Sequence, residues 1–160
     1  MNKIFLSFGL LFILSGPVVS VKDFKPAIGK WTGTLTYLDY SGGKPYTMPA
    51  NITVGKDVAN TQRIIFYYDY PNEPKANGSD TLLISTGGAV FDGATVVSKE
   101  RNGRVLRIVT DKNGLDGNDS KAAVIRHIYT IGKKIFSIRK EVKFDGEEKW
   151  ITRNEYKMSR

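Results

Sequence analysis

Ten short runs rich in β-branched and aromatic residues follow one another along this chain, each closed by a cluster of Gly, Asn or Asp. No long segment repeats its apolar residues with a period near 3.6, so nothing supports a helical core. The runs place strands at 29–39, 46–54, 61–69, 81–86, 89–92, 94–101, 104–110, 121–131, 134–144 and 148–158. Short strands joined by tight turns make a meander, and a long meander leaves two exposed edges unless it closes on itself. The fold class expected is therefore all-β, an antiparallel up-and-down β-barrel of about 8–10 strands.

The turn residues set the expected register. Asn102-Gly103 suits a type I′ hairpin, and Gly132-Lys133 puts Gly first, as a type II′ turn requires. Gly87-Gly88 is a further reversal, and Asp145-Gly146-Glu147 reads as a three-residue loop. The stretches 70–80 and 111–120 read as longer loops, rich in Pro, Gly, Asn and Asp. A turn at Gly132-Lys133 pairs Tyr129 with Phe136 and His127 with Ile138, and directly opposed side chains share a face. One face of the C-terminal strands then holds Ile125, His127, Tyr129, Ile138, Lys140, Trp150, Asn154 and Tyr156. The other holds Arg139, Glu141, Lys143, Arg153, Glu155 and Lys157, a mixed-charge solvent surface. In the first strand Trp31, Gly33, Leu35 and Tyr37 alternate with threonines. Arg63-Ile64-Ile65-Phe66-Tyr67-Tyr68 is apolar on both faces, and alternation does not orient it.

The N-terminus reads as a secretory signal peptide over residues 1–20, leaving one barrel domain over 21–160. Lys3 precedes the apolar run Ile4–Leu14, Gly16-Pro17 breaks it, and Val18 and Ser20 offer a cleavage site after Ser20. An uncleaved anchor is the alternative, but a span needs about 20 apolar residues. The expected location is secreted or periplasmic. With no cysteine in the chain, a disulfide-linked partner, a thiolate metal site and a cysteine nucleophile are all excluded. The formal charge is +8, spread over many loops and strands rather than gathered on one face with interleaved aromatics, so nucleic acid is not an expected partner. The charge reads as a basic soluble surface, with attraction to an anionic envelope surface as the sharper alternative.

Gly29-Lys30-Trp31 opens the first strand and resembles the Gly-x-Trp motif at the start of lipocalin barrels. In the wider calycin group a basic residue near the end of the last strand packs over that tryptophan, and Arg153 is the candidate for it here. The resemblance implies a lipocalin-like or fatty-acid-binding-protein-like barrel, with Gly29, Trp31 and Arg153 closing its floor. The chain departs from the pattern in lacking the lipocalin disulfide, a Thr-Asp-Tyr motif, and an Arg-x-Tyr pair on the last strand.

A barrel of this kind is expected to bind a small hydrophobic or amphipathic molecule in a cavity lined by Tyr37, Tyr67, His127, Tyr129, Lys140, Trp150, Asn154 and Tyr156. The alternatives are an envelope structural or interaction protein whose aromatics fill the barrel, and an enzyme using His127 or Lys140 as acid or base. His127 reads as an interior histidine bonded to a tyrosine, ahead of a haem ligand or general base, and no cofactor is expected. The acidic stretch Asp111–Asp119 lacks the spacing of an EF-hand and reads as a solvated loop rather than a metal site. Interior volume separates binding from filling, with about 300 Å³ as the lower bound of an ordinary ligand pocket.

Overall fold

A computed structural model describes residues 16–39 and 42–160. Most of the expected leader, up to residue 15, lies outside the described residues. Ten strands run in the expected order: β1 (Gly29–Leu38), β2 (Pro45–Lys56), β3 (Arg63–Asp69), β4 (Gly78–Leu83), β5 (Val90–Phe91), β6 (Ala94–Asn102), β7 (Val105–Asp116), β8 (Lys121–Ile131), β9 (Ile135–Phe144) and β10 (Ile151–Ser159). Each pairs antiparallel with its sequence neighbours, and β1 pairs with β10. Only the seam between β4 and β5 is thin. There the isolated bridge Ile84↔Phe91 is reinforced by Ser85 N–H donating to Val90 O (2.9 Å) and Asp92 N–H to Leu83 O (2.8 Å). The result is a nearly closed up-and-down β-barrel, compatible with a calycin-type fold.

One end of the barrel is sealed from within. A 3₁₀ helix, Val21–Ala27, starts at Ser20, whose backbone N–H and hydroxyl both donate to the Asp23 carboxylate. That spacing, Ser followed three residues later by a carboxylate, is a helix-start signal that the strand-centred reading passes over. Lys99 on β6 donates to Asp23 (2.8 Å) and to Val18 O (3.0 Å). The helix inserts Phe24, wholly buried, among Phe66, Phe91 and Tyr129, with ring centroids 6.4, 5.1 and 6.0 Å away. Burying one such ring contributes about 2–3 kcal/mol. Val19, placed by the sequence within the leader, packs into the same core, and its N–H donates to Gly88 O.

Trp31 also lies in this floor, buried, with its indole N–H donating to Ala27 O (2.6 Å). The cation over its ring is Arg160, 4.1 Å from the centroid, and not Arg153. Arg160 also donates to the carbonyls of Pro26, Ile28 and Lys133. Gly29 sits at φ +115°, a conformation only glycine adopts without strain, and this turns β1 under the floor. Arg153 lies toward the other end of β10, bonded to Asp116 and placed over the ring of Phe144.

The expected registers shift without disturbing most faces. The β8–β9 turn is Lys133-Lys134, closed by Gly132 N–H donating to Ile135 O, so Tyr129 opposes Ile138 and His127 opposes Lys140. Sliding one strand by two residues preserves which side chains face inward. The β6–β7 turn is likewise displaced by one: Asn102 pairs with Val105, and Gly103 takes φ +56° at the first central position. The expected type I′ turn centred on Asn102-Gly103 is thus replaced by a two-residue turn centred on Gly103-Arg104, with positive φ at the first central position alone, as in a type II′ turn. Strand β7 runs on to Asp116, so half of the expected 111–120 loop is strand.

Candidate ligand cavity at the open end

The lower half of the barrel is filled by Phe24, Trp31, Phe66, Phe91 and Phe136. Above them a cavity of about 260 Å³ remains, lined by Phe66, Tyr68, Tyr70, Asp80, Leu82, Asp92, His127, Tyr129, Ile138, Asn154 and Tyr156. The interior is therefore neither wholly filled nor large. The volume falls just short of the ~300 Å³ at which ordinary small-molecule pockets begin.

Four of the expected lining residues meet here: His127 and Tyr129 on β8, Asn154 and Tyr156 on β10. The other four do not. Tyr67 points outward and is 49% exposed, because β3 pairs Tyr68 with Ile52 and Phe66 with Val54 on the buried face of β2. Trp150 precedes β10 and packs on the outer surface, with the Arg126 guanidinium 4.0 Å from its ring centroid. Tyr37 stands at the rim beside Tyr46, in a separate depression with Leu35, Met48, Tyr70 and Glu73. Lys140 faces inward, but its ammonium lies 2.5 Å from the Asp116 carboxylate, which also accepts from Arg153 at 2.8 Å.

The last strand explains the division. A β-bulge at Arg153 adds a residue to β10 between Thr152, opposite Glu141, and Asn154, opposite Lys140. One extra residue reverses the side-chain phase. Asn154 and Tyr156 point inward above the bulge, while Trp150 takes the opposite phase to that expected.

Sequence reasoning missed Tyr68, Tyr70, Asp80 and Asp92. Tyr68 lies on a run that is apolar on both faces, and its inward direction is set by the β2–β3 register, which pairs it with Ile52. Tyr70 belongs to the β3–β4 loop, which bends back over the opening. The loop is held by Tyr70 N–H donating to Asn77 Oδ1 (2.7 Å) and by the Asn77 amide donating to Asp69 (3.0 Å). The hydroxyls of Tyr70 and Tyr156 lie 2.6 Å apart, joining loop to barrel wall. Asp92 is at φ +51° in the β5–β6 turn, followed by Gly93 at +71°.

The cavity groups are electrostatically distinctive. Burial pushes the His127 imidazole down to about 4, helped by the nearby Lys112 and Lys140 charges, so the ring is neutral at ordinary pH. Burial raises the Tyr68, Tyr129 and Tyr156 phenols, with the Asp80 charge adding to each, so all three remain protonated. Tyr68 and Tyr156 stack with centroids 5.4 Å apart. Tyr129 is only 4% exposed and lines the cavity. The side chains of Tyr68, His127 and Asn154 border it as well. This set can donate and accept hydrogen bonds around a small guest. The described residues contain no group of three or more His, Cys, Asp or Glu placed to hold a metal ion.

No family model matches the chain, and no curated protein sequence matches it.

Proposed function

We propose that this protein is an exported calycin-type barrel that binds a small molecule in the cavity between Tyr68, His127, Tyr129, Asn154 and Tyr156. The observation that carries the reading is a hollow bordered by the polar side chains of Tyr68, His127, Tyr129, Asn154 and Tyr156, above a core that is otherwise filled. The calycin assignment is supported by Gly29-Lys30-Trp31 at the barrel floor together with the Arg160 guanidinium stacked on Trp31. The leader-like N-terminus and the lack of cysteine support export to an envelope compartment. A cavity of about 260 Å³ favours a compact, partly polar guest over a long-chain lipid.

Native mass spectrometry of the purified protein, combined with a thermal-shift screen of fragment-sized compounds, tests the binding. Compounds that raise Tm in the native protein and fail to do so in a Tyr129→Trp variant, which fills the cavity, are expected. A screen without hits, or hits indifferent to Tyr129→Trp, removes the reading.

A further inference from the structure

The cavity differs in sign from the rest of the molecule. The chain carries a formal +8, yet among the described residues no Lys or Arg lines the hollow, and its two charged lining residues are Asp80 and Asp92. Neither carboxylate forms a hydrogen bond or ion pair with another described residue. Many other acids of the barrel are paired: Asp23 with Lys99, Asp111 with Arg126, Asp116 with Lys140 and Arg153, and Glu155 with Arg139. The cations closest to the cavity, Lys112 and Lys140, act on His127, and Lys140 is held by Asp116.

The remaining walls suit a cation. Phe66, Tyr68, Tyr129 and Tyr156 offer aromatic rings, whose faces attract positive charge. The Tyr129 hydroxyl at the cavity wall and the neutral His127 ring can both accept an N–H. A carboxylate guest would meet two carboxylates and no lining cation. A wholly apolar guest would displace water from Tyr129, Asn154 and His127 without replacing its hydrogen bonds, which is unfavourable. We infer that the cavity takes small organic ammonium ions, amines bearing an aromatic or compact apolar group. The ammonium lies toward Asp80 and Asp92, and the apolar group packs against Tyr68, Tyr129 and Tyr156. The inference rests on the small-molecule-binding reading above and adds the charge of the guest.

The test is calorimetric titration with three compounds of one shape: 2-phenylethylammonium, phenylacetate and 2-phenylethanol. The ammonium is expected to bind at least tenfold more tightly than either of the others. In the Asp80→Asn/Asp92→Asn double variant it is expected to lose at least tenfold, with the 2-phenylethanol affinity unchanged. Both aspartates are exposed at the rim, and the comparison of the three compounds on the unmodified protein stands without any variant. If phenylacetate or 2-phenylethanol binds as tightly as the ammonium, the charge assignment is overturned while small-molecule binding survives. If none of the three binds and the fragment screen is also empty, both readings fall.

Discussion

The Arg160 guanidinium lies 4.1 Å from the centre of the Trp31 ring while donating to three backbone carbonyls, those of Pro26, Ile28 and Lys133. One side chain thereby ties the end of β10 to the helix, the start of β1 and the β8–β9 turn. Arg160→Ala is expected to destabilise the barrel by about 1–2 kcal/mol in urea denaturation. Arg160→Lys should recover little, since a point charge cannot reproduce a planar fork spread over several acceptors. Arg153→Ala should leave the fluorescence of Trp31 unchanged, because Arg153 lies with Asp116 and Phe144.

Asp116 accepts from both Lys140 and Arg153 and its side chain is 3% exposed. Removing the shared carboxylate in Asp116→Ala leaves two cations in a confined space, and the expected loss is about 3–5 kcal/mol. Lys140→Met should cost less, since Arg153 still neutralises the carboxylate. Equilibrium unfolding of the two variants gives the order.

His127 predicts an acid-sensitive stability. Its folded value of about 4 lies below the ordinary 6.5. Between those values the unfolded chain binds a proton that the folded protein does not, so stability falls as pH falls through that window. The full difference amounts to about 3 kcal/mol. His127→Gln should lose correspondingly less stability than the unmodified protein between pH 7.5 and pH 4.5, the carboxylates common to both cancelling in the comparison.

Val19 and Ser20 fix the helix that seals the floor, through Val19 N–H to Gly88 O and the Ser20 bonds to Asp23. Those bonds and the Lys99 ammonium outweigh the burial of Asp23, which alone would raise its carboxyl, and hold it below the ordinary range. A chain beginning at Val21 is expected to be less stable than one beginning at Gly16 by about 1–3 kcal/mol. Part of that difference should vanish at low pH, where Asp23 is protonated in both. Thermal denaturation of the two forms across pH decides it.

The Tyr70–Tyr156 hydroxyl contact fastens the β3–β4 loop over the cavity. Tyr70→Phe should raise amide exchange in residues 70–77 with a stability change near 1 kcal/mol. Hydrogen-exchange mass spectrometry reads the loop directly.

Much of the barrel was legible because strand periodicity survives errors of two residues. The β8–β9 turn was misplaced, yet Ile125, His127, Tyr129, Ile138 and Lys140 kept their inward face, as the observed pairing shows. What alternation cannot reveal is a change of phase. The bulge at Arg153 carries no marked residue type, so Trp150 was put inside and is found outside, against Arg126. The basic residue over Trp31 was sought too early on the last strand, since distance along a bulged strand is not distance in space. The acidic rim was invisible for another reason. Asp80 and Asp92 flank the thin seam between β4 and β5, and only closure of the ring brings them beside Tyr129 and Tyr156.

That closure also shapes how the chain reaches its final form. Every strand pairing except one joins neighbours in sequence, and the exception links Thr32 to Ser159, far apart along the chain. Local hairpins form quickly, whereas a contact spanning nearly the whole chain bears the largest loop-closure entropy. A polypeptide emerging residue by residue can therefore gather hairpins but cannot shut the ring until β10 is present. Until then β1 offers an open edge to which another extended chain can pair. The same seam that completes the barrel is thus the pairing that must wait for the last strand.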